Sequence, residues 1–288
     1  MPSFGVFQYS SNGFSLTDFS NYNKVIFVLV DSHCHLDRLN LDNYPKGLDE
    51  ALSAARDRGV SAMLCVCISD NNRSAVLEIA SRYPMVYASV GIHPSDVDAS
   101  TDSSMDTLTN WASAERVVAL GETGLDYFRG DECADFQRES FKNHLLVGSK
   151  TKLPVIVHTR SAQQDTIALM REHGDSSSAG VMHCFTESWA MAEQALELGY
   201  YISLSGIVTF KNADDLRELA RKVPLERLLI ETDSPYLAPV PFRGKPNEPK
   251  YLRDTAEYIA QLRGVSLEAL AEQTTENFYA LFNKALPS

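Results

Sequence analysis

The chain lacks a cysteine framework and a long hydrophobic run. Five cysteines occur in 288 residues, and their spacings resemble neither a zinc knuckle nor a set of disulfides. The longest apolar run near the N-terminus, VIFVLV at 25–30, is too short to span a membrane and lacks the cationic region of a secretion signal. We therefore expect reduced thiols, no membrane contact and a cytoplasmic protein.

Positive charge is also scarce. Lysine and arginine number 26 against 38 aspartate and glutamate residues, which gives a formal net charge of −12. A field of this sign repels the phosphates of nucleic acids, so binding through general surface charge is excluded. A nucleic acid substrate would need local attraction at its own site.

Short aliphatic and β-branched runs alternate with stretches of helical periodicity, which is typical of βα units around a parallel sheet. Strands are predicted at residues 25–31, 62–68, 86–91, 117–121, 155–158, 180–185, 200–206 and 227–232. Helices are predicted at residues 48–58, 71–82, 135–150, 163–172, 189–198, 214–221, 249–262 and 266–282. Eight such repeats favour a closed (β/α)8 TIM barrel over an open doubly wound sheet.

The sequence also suggests how the chain is organised. No linker or low-complexity tract divides it, so residues 24–288 are predicted to form a single barrel domain. Residues 1–23 are rich in serine, asparagine and phenylalanine and carry no motif. We interpret them as an N-terminal extension of unknown role.

Polar side chains recur where the predicted strands end, which in such a barrel is the functional face. Six of them are candidate metal ligands: His33, His35, Glu122, His158, His183 and Asp233. His33 and His35 lie two apart on an extended chain and so point to the same side, with Cys34 facing away. For this pair alone, structural histidines with local hydrogen bonds are the alternative.

The two carboxylates strengthen the metal interpretation. Glu122 and Asp233 follow apolar strands, where an unpaired carboxylate near a core is costly. Pairing with arginine or lysine is the alternative, but carboxylate together with imidazole favours a divalent cation. Six donors exceed the three protein ligands typical of one catalytic zinc, so a site for two ions is predicted.

Other polar residues receive weaker assignments. His93, Arg160 and Arg243 are candidate substrate contacts, the arginines because they would bind an anion at the barrel mouth. For His93 a structural role in a turn is the alternative. Two further histidines in helical stretches, His144 and His173, are expected at the surface. Cys65 and Cys67 are expected to be small buried side chains within a strand rather than ligands.

The chain carries six segments at or near these strand ends: DSHCHLD (31–37), GIHP (91–94), GETGLDY (121–127), PVIVHTR (154–160), HCF (183–185) and ETDSPYLAP (231–239). Together they resemble the TatD family of metal-dependent deoxyribonucleases, and within it the YcfH-type bacterial members. The resemblance extends over about residues 28–284. The segment before LVDSHCH departs from the family pattern, in which the first motif follows the start methionine almost directly.

The resemblance implies a TIM-barrel hydrolase of the amidohydrolase-like superfamily with two divalent ions. It implies that one ion is held by His33, His35 and Asp233, that the other is held by His158 and His183, and that Glu122 bridges them. Glutamate at the bridging position argues against relatives that use a carbamylated lysine there, and so against an amide or lactone hydrolase. Imidazole ligands suit Zn²⁺ or Mn²⁺, whereas the family is often associated with Mg²⁺.

The predicted function is that of a phosphodiesterase or deoxyribonuclease, similar to the 3′–5′ exonucleases of the family. Water activated by the ions would attack phosphorus, and Asp233 would orient the water and accept its proton. One alternative keeps the site but changes the bond to another ester, such as the D-aminoacyl ester of tRNA. A second is a catalytically silent metal-binding scaffold. DNA or another phosphodiester or ester is the expected partner, and no obligate protein partner is inferred.

Overall fold

The computed structural model describes residues 28–286 except 129 and 131, so the proposed extension at 1–23 and the start of the first predicted strand lie outside the described residues. Eight parallel strands are hydrogen-bonded in chain order. They are β1 (Leu29–Cys34), β2 (Val60–Cys65), β3 (Val86–Val90), β4 (Val117–Asp126), β5 (Val155–Arg160), β6 (Gly180–Met182), β7 (Tyr201–Leu204) and β8 (Leu228–Ile230). The predicted (β/α)8 barrel is confirmed.

Nine helices are found in the described part of the chain. They are α1 (Leu48–Asp57), α2 (Asp70–Arg82), α3 (Met105–Ala112), α4 (Ala134–Thr151), α5 (Gln163–His173), α6 (Trp189–Glu197), α7 (Asp214–Lys222), α8 (Leu252–Arg263) and α9 (Leu267–Leu281). Eight lie within about two residues of their predicted ends, apart from a single 3-10 turn that precedes α8. The sequence did not predict α3, because two turns are too short for a helical period to stand out.

The strand ends differ from the prediction where they carry polar residues. β4 runs on to Asp126, so Glu122 lies inside the strand rather than after it. β8 ends early at Ile230, but the chain beyond it pairs with β1. The Asp233 N–H donates to the His33 carbonyl at 2.9 Å, and the His35 N–H donates to the Ser234 carbonyl at 2.8 Å. These bonds join the two ends of the sheet at the mouth of the barrel.

The core has an inner and an outer layer. On β2, Leu64 belongs to the cluster inside the barrel, whereas Cys65 belongs to the cluster between the barrel and its helices. Cys65 and Cys67 are fully buried, as expected. Phe278 of α9 joins the inner cluster. Since apolar side chains fill this interior, the polar groups are confined to the end of the barrel where the strands terminate.

A glycine allows two of the polar strands to approach closely. Gly124 of β4 has φ +140°, and a Cβ there would lie 2.0 Å from the carbonyl oxygen of His158 on β5. Any side chain at this position would push the strands apart. The glycine therefore lets Glu122 and His158 face each other on neighbouring strands.

No helix among the described residues combines the length and the apolar character needed to cross a membrane.

Candidate metal centre

The structure brings all six predicted ligands together at the C-terminal mouth of the barrel. On one side, His33 Nε2 lies 3.3 Å from His35 Nε2 and 3.7 Å from Asp233 Oδ1. His35 Nε2 lies 3.4 Å from Asp233 Oδ1. The Oε2 atom of Glu122 completes this group at 3.3 Å from His33 Nε2 and 4.0 Å from His35 Nε2. We call these four side chains the first donor group.

The other carboxylate oxygen of Glu122 faces a second donor group. Its Oε1 lies 2.8 Å from His183 Nε2, 3.1 Å from His158 Nδ1 and 3.3 Å from His93 Nε2. His93, predicted as a substrate contact, thus lies beside the predicted ligands. Glu122 joins the two groups, because each of its oxygens faces one of them.

The donor spacing fits divalent cations. A tetrahedral ion with bonds of about 2.0–2.2 Å keeps its ligands about 3.3–3.6 Å apart, close to the distances in the first donor group. Among the described residues, neither Glu122 nor Asp233 forms an ion pair with lysine or arginine. The alternative of ordinary ion pairing therefore has no support in this part of the chain.

Three sets of residues each bring their donor atoms within 4.8 Å of one another: His33, His35 and Asp233; His93, Glu122 and His158; and His33, His183 and Glu231. The first and third sets share His33. The first set matches three of the ligands expected for one ion. The second places His93 with Glu122 and His158, where the sequence had suggested His183. Besides His35, the four histidines His33, His93, His158 and His183 each have a ring nitrogen within 3.3 Å of a Glu122 oxygen.

In His158 and His183, one ring nitrogen faces Glu122 and the other is hydrogen-bonded to a second carboxylate, an arrangement common in metal-binding histidines. His158 Nε2 donates to Asp126 Oδ2 at 3.1 Å, and His183 Nδ1 donates to Glu231 Oε1 at 3.2 Å. Such carboxylates fix the ring orientation and leave the other nitrogen free to ligate a metal. His33 Nδ1 is buried and has no hydrogen-bond partner among the described residues.

The sequence interpretation missed Asp126 and Glu231 as orienting residues. Side chains at alternate positions of a strand share a face. Asp126 lies four residues after Glu122 on β4, and Glu231 lies two residues before Asp233. Asp126 therefore shares a face of β4 with Glu122, which becomes visible only once β4 is known to run on to Asp126. Glu231 and Asp233 lie just beyond the end of β8, so strand alternation does not relate them.

The electrostatics of the cluster favour ionised carboxylates. Burial opposes ionisation of Glu122, but the charges of His183 and His93 and the hydrogen bond from His158 hold its pKa well below the usual value. Burial also disfavours charged His183, yet Glu122 and Glu231 hold its pKa well above the usual value. Buried negative charge of this kind requires positive charge nearby, which divalent cations would supply.

A cavity of about 660 Å³ opens over the donor groups. Its lining includes the predicted ligands His35, Glu122, His158, His183 and Asp233, together with His93. Arg160 also lines it, and so does Arg38, which the sequence did not single out. Arg243 does not, and instead its guanidinium Cζ lies 4.4 Å from the ring centre of Phe210.

His144 was expected at the surface, and this prediction is wrong. It is fully buried on α4, where Nδ1 donates to the Ser140 carbonyl at 2.7 Å. Its Nε2 accepts the N–H of Ile92 at 3.2 Å, and burial lowers its pKa to about 4. His144 therefore anchors the backbone beside His93. The other histidine of this prediction, His173, is partly exposed at the end of α5.

We expect His144→Leu to destabilise the fold by about 1–3 kcal/mol, because the Ile92 N–H would be left buried without an acceptor. His144→Gln, whose amide oxygen can accept that N–H, should lose less. Urea denaturation of the two variants measures the difference, and equal losses would contradict the anchoring role.

The same variants test the protonation state of His144. Its native pKa of about 4 lies below the ordinary value of 6.5, so between these values the unfolded chain binds more protons. Stability should therefore fall as the pH is lowered through this window, by up to about 1.4 kcal/mol per pH unit from this group. Both variants should lack this contribution. An unchanged pH slope in His144→Gln would show that folding does not lower the pKa of His144.

The sequence also matches a known protein family. A profile of the family described as TatD related DNase matches residues 30–283. The chain belongs to this family. The match covers all eight strands except the first residue of β1, and it includes every donor described above.

Individual TatD-family relatives match over nearly their whole length. The chain is 49% identical to the metal-dependent hydrolase YcfH of Escherichia coli K12 over 255 residues, which are 88% of this chain and 96% of that protein. It is 33% identical to the 3′–5′ ssDNA/RNA exonuclease TatD of Salmonella typhimurium over 249 residues, which are 85% and 96% of the two chains.

Among solved structures, the chain is similar to YJJV, a TatD homologue of Escherichia coli K12. The TM-score is 0.80 at 31% identity, and the match covers 90% of this chain and 99% of that one. The amidohydrolase of Saccharomyces cerevisiae, at 18% identity and a TM-score of 0.74, shares the fold. The chain is thus a metal-dependent hydrolase of the TatD family, with histidine and carboxylate groups that could hold metal.

Proposed function

We propose that the protein is a phosphodiesterase of the nuclease type that works with two divalent cations. The observation that carries the proposal is the position of Glu122, whose two oxygens each face one donor group beneath the cavity. His33, His35 and Asp233 would hold one cation with Glu122, and His158 and His183 would hold the other. The same geometry makes His93 a further candidate ligand of the second cation.

The cations would supply Lewis acidity, lowering the pKa of an attacking water and neutralising charge on phosphoryl oxygens. The protein's own side chains would orient the water and accept its proton. Oδ1 of Asp233 faces His33 and His35, so Oδ2 would orient the water and accept its proton. Burial opposes ionisation of Asp233, but the hydrogen bond from His35 and the charges of both histidines hold its pKa below the usual value, in the state that accepts a proton.

The charges lining the cavity support an anionic substrate only in the presence of cations. Three carboxylates line it, those of Asp96, Glu122 and Asp233, against the two guanidinium groups of Arg38 and Arg160. The protein as a whole carries a net charge of −12. Divalent cations held by these carboxylates would add the positive charge that binds a phosphodiester.

Among phosphodiesters, a nucleic acid strand is the proposed substrate. The support is the relationship to the Salmonella typhimurium protein named as a 3′–5′ ssDNA/RNA exonuclease, together with the arginines at the mouth. Cleavage from the 3′ end is part of the proposal. The mixed imidazole and carboxylate set favours Zn²⁺ or Mn²⁺ over Mg²⁺.

A comparison of substrates and metals tests the proposal. Protein stripped with a chelator and reloaded with Zn²⁺, Mn²⁺ or Mg²⁺ should hydrolyse a single-stranded oligonucleotide and an aryl phosphodiester. Stripping should also weaken binding of a phosphorothioate oligonucleotide by at least about 100-fold, or about 2.7 kcal/mol, because the cations would supply the main attraction for its phosphates. Faster metal-dependent hydrolysis of aminoacyl-tRNA, or phosphodiester turnover that survives stripping, would contradict it.

A further inference from the structure

Exposed apolar side chains are concentrated at the barrel mouth. Six large hydrophobic residues are exposed in the described part of the chain. Three of them lie in the segments that follow β4 and β8, namely Phe128, Tyr236 and Val240, and a fourth, Phe136, lies in the first turn of α4. Of these four, Tyr236 lines the cavity, and Phe128 is stacked with Arg160, which also lines it. Exposed apolar surface beside a cavity is typical of a binding surface.

On the β4 and β5 side, an arginine is stacked on one of these rings. The guanidinium Cζ of Arg160 lies 3.6 Å from the centre of the Phe128 ring, and Phe128 is still 60% exposed. Arg160 lines the cavity two residues after His158, and its charge acts on Asp126, but no described carboxylate lies within 4.0 Å of its guanidinium group. Its charge is therefore available to a ligand, and the ring has free surface.

On the β8 and β1 side, a second arginine accompanies an aromatic ring. Arg38 and Tyr236 both line the cavity, and their side chains interact electrostatically. The Tyr236 ring is 46% exposed, and its centre lies 5.9 Å from that of His35. The nearest carboxylate contact of Arg38 is long, at 3.7 Å from its Nε to Asp37.

The two pairs lie on opposite rims of the mouth. In a barrel with the strand order β1 to β8, the β4–β5 edge is diametrically opposite the place where β8 meets β1. The two donor groups lie between them, since Glu122 is on β4 and His33 is on β1. A chain that crosses the donor groups would meet one aromatic ring and one guanidinium group on each side.

We propose two base-binding subsites, one formed by Phe128 with Arg160 and the other by Tyr236 with Arg38. They hold the unpaired bases on either side of the phosphodiester that lies over Glu122. The proposal rests on the proposed function. An exposed ring gives a base a face to stack on, and the adjacent guanidinium can bind phosphate oxygens or stack in turn. Bases inside a duplex have no free faces, so these subsites select single strands.

Equilibrium binding tests the subsites without relying on turnover. The metal-loaded protein is titrated, with fluorescence anisotropy as the readout, into a short single-stranded phosphorothioate oligonucleotide and into an abasic oligomer with the same number of linkages. Phe128→Leu and Tyr236→Leu should each weaken binding of the base-carrying oligomer by about 5- to 150-fold. Affinity for the abasic oligomer should change by no more than about twofold.

Matched variants separate stacking from other effects. Tyr236→Phe and Phe128→Tyr keep a ring and should bind the base-carrying oligomer nearly as well as the parent protein. Tyr83→Leu removes a ring that is paired with Arg82 at the opposite end of the barrel, and it should leave both affinities unchanged. Equal losses on both oligomers, or no loss in either leucine variant, would overturn the subsites.

The test also distinguishes this inference from the proposed function. Ring-dependent binding of bases without metal-dependent hydrolysis of the natural phosphodiester would support the subsites and contradict the nuclease proposal. Hydrolysis of oligonucleotides without any ring-dependent binding would support the nuclease and overturn the subsites. The protein could instead bind an aromatic peptide more tightly than the oligonucleotide, in a way that depends on the Phe128 and Tyr236 rings. That result would assign the two rims to a different partner and would also overturn the inference.

Discussion

Replacement of Glu122 by glutamine should abolish hydrolysis while leaving the barrel folded. Glutamine has the same shape, and its amide oxygen can still face one donor group, but its amide nitrogen cannot ligate a cation facing the other. We expect kcat/KM to fall by at least about 1,000-fold, or about 4 kcal/mol, and the bound metal to fall from two equivalents to one or fewer.

The measurement combines metal analysis of dialysed protein with turnover of an aryl phosphodiester and a far-ultraviolet circular dichroism spectrum. Glu187→Gln is the matched control. Its carboxylate also lies at the mouth, but it accepts from the Ser161 N–H and the Gln163 side chain and does not face the donor groups. The control should keep two equivalents. If Glu122→Gln kept two equivalents of metal and full turnover, the Glu122 carboxylate would not join the two cation sites.

Replacement of Asp233 by asparagine should remove the proton acceptor and one ligand without disturbing the backbone. Asp233 has a φ of +55°, a left-handed conformation that asparagine tolerates and alanine tolerates less well. We expect kcat to fall by about 100- to 10,000-fold through loss of general-base assistance. Binding of one cation should weaken, because the first donor group keeps only His33, His35 and one oxygen of Glu122.

Asp233→Ala distinguishes the two effects of this position. It should lose activity as the asparagine variant does, and it should also lose stability in thermal denaturation through the strained backbone. An asparagine variant that retains more than a tenth of the parent kcat would contradict the role of Asp233 in accepting the proton.

The sequence predicted the barrel well because eight apolar strands buried on both faces alternate with amphipathic helices. Strand ends were harder to predict. Gly121 and Gly124 interrupt the apolar run of β4, so the sequence gives no sign that the strand passes through Glu122 to Asp126. The early end of β8 reflects the left-handed Asp233 and the pairing of the next residues with β1, which are tertiary effects.

The six predicted ligands could be found from sequence because the C-terminal ends of the strands in a barrel meet at one mouth, independently of loop length and sequence. His144 could also have been placed correctly, since it falls with Phe141, Leu145 and Gly148 on the buried face of α4. The positions of Arg38 and Tyr236 at the cavity could not be predicted from the sequence. They belong to loops after β1 and β8, and only the folded barrel brings them to the same rim of the cavity.

The central claim is that six side chains, joined by Glu122, bind a pair of cations. Anomalous diffraction from crystals soaked with Mn²⁺ or Zn²⁺ tests it most directly. We expect two peaks at the mouth of the barrel, one beside Oε2 of Glu122 near His33 and His35, and the other beside Oε1 near His158 and His183. A single peak, or peaks whose ligands do not include Glu122, would contradict the account.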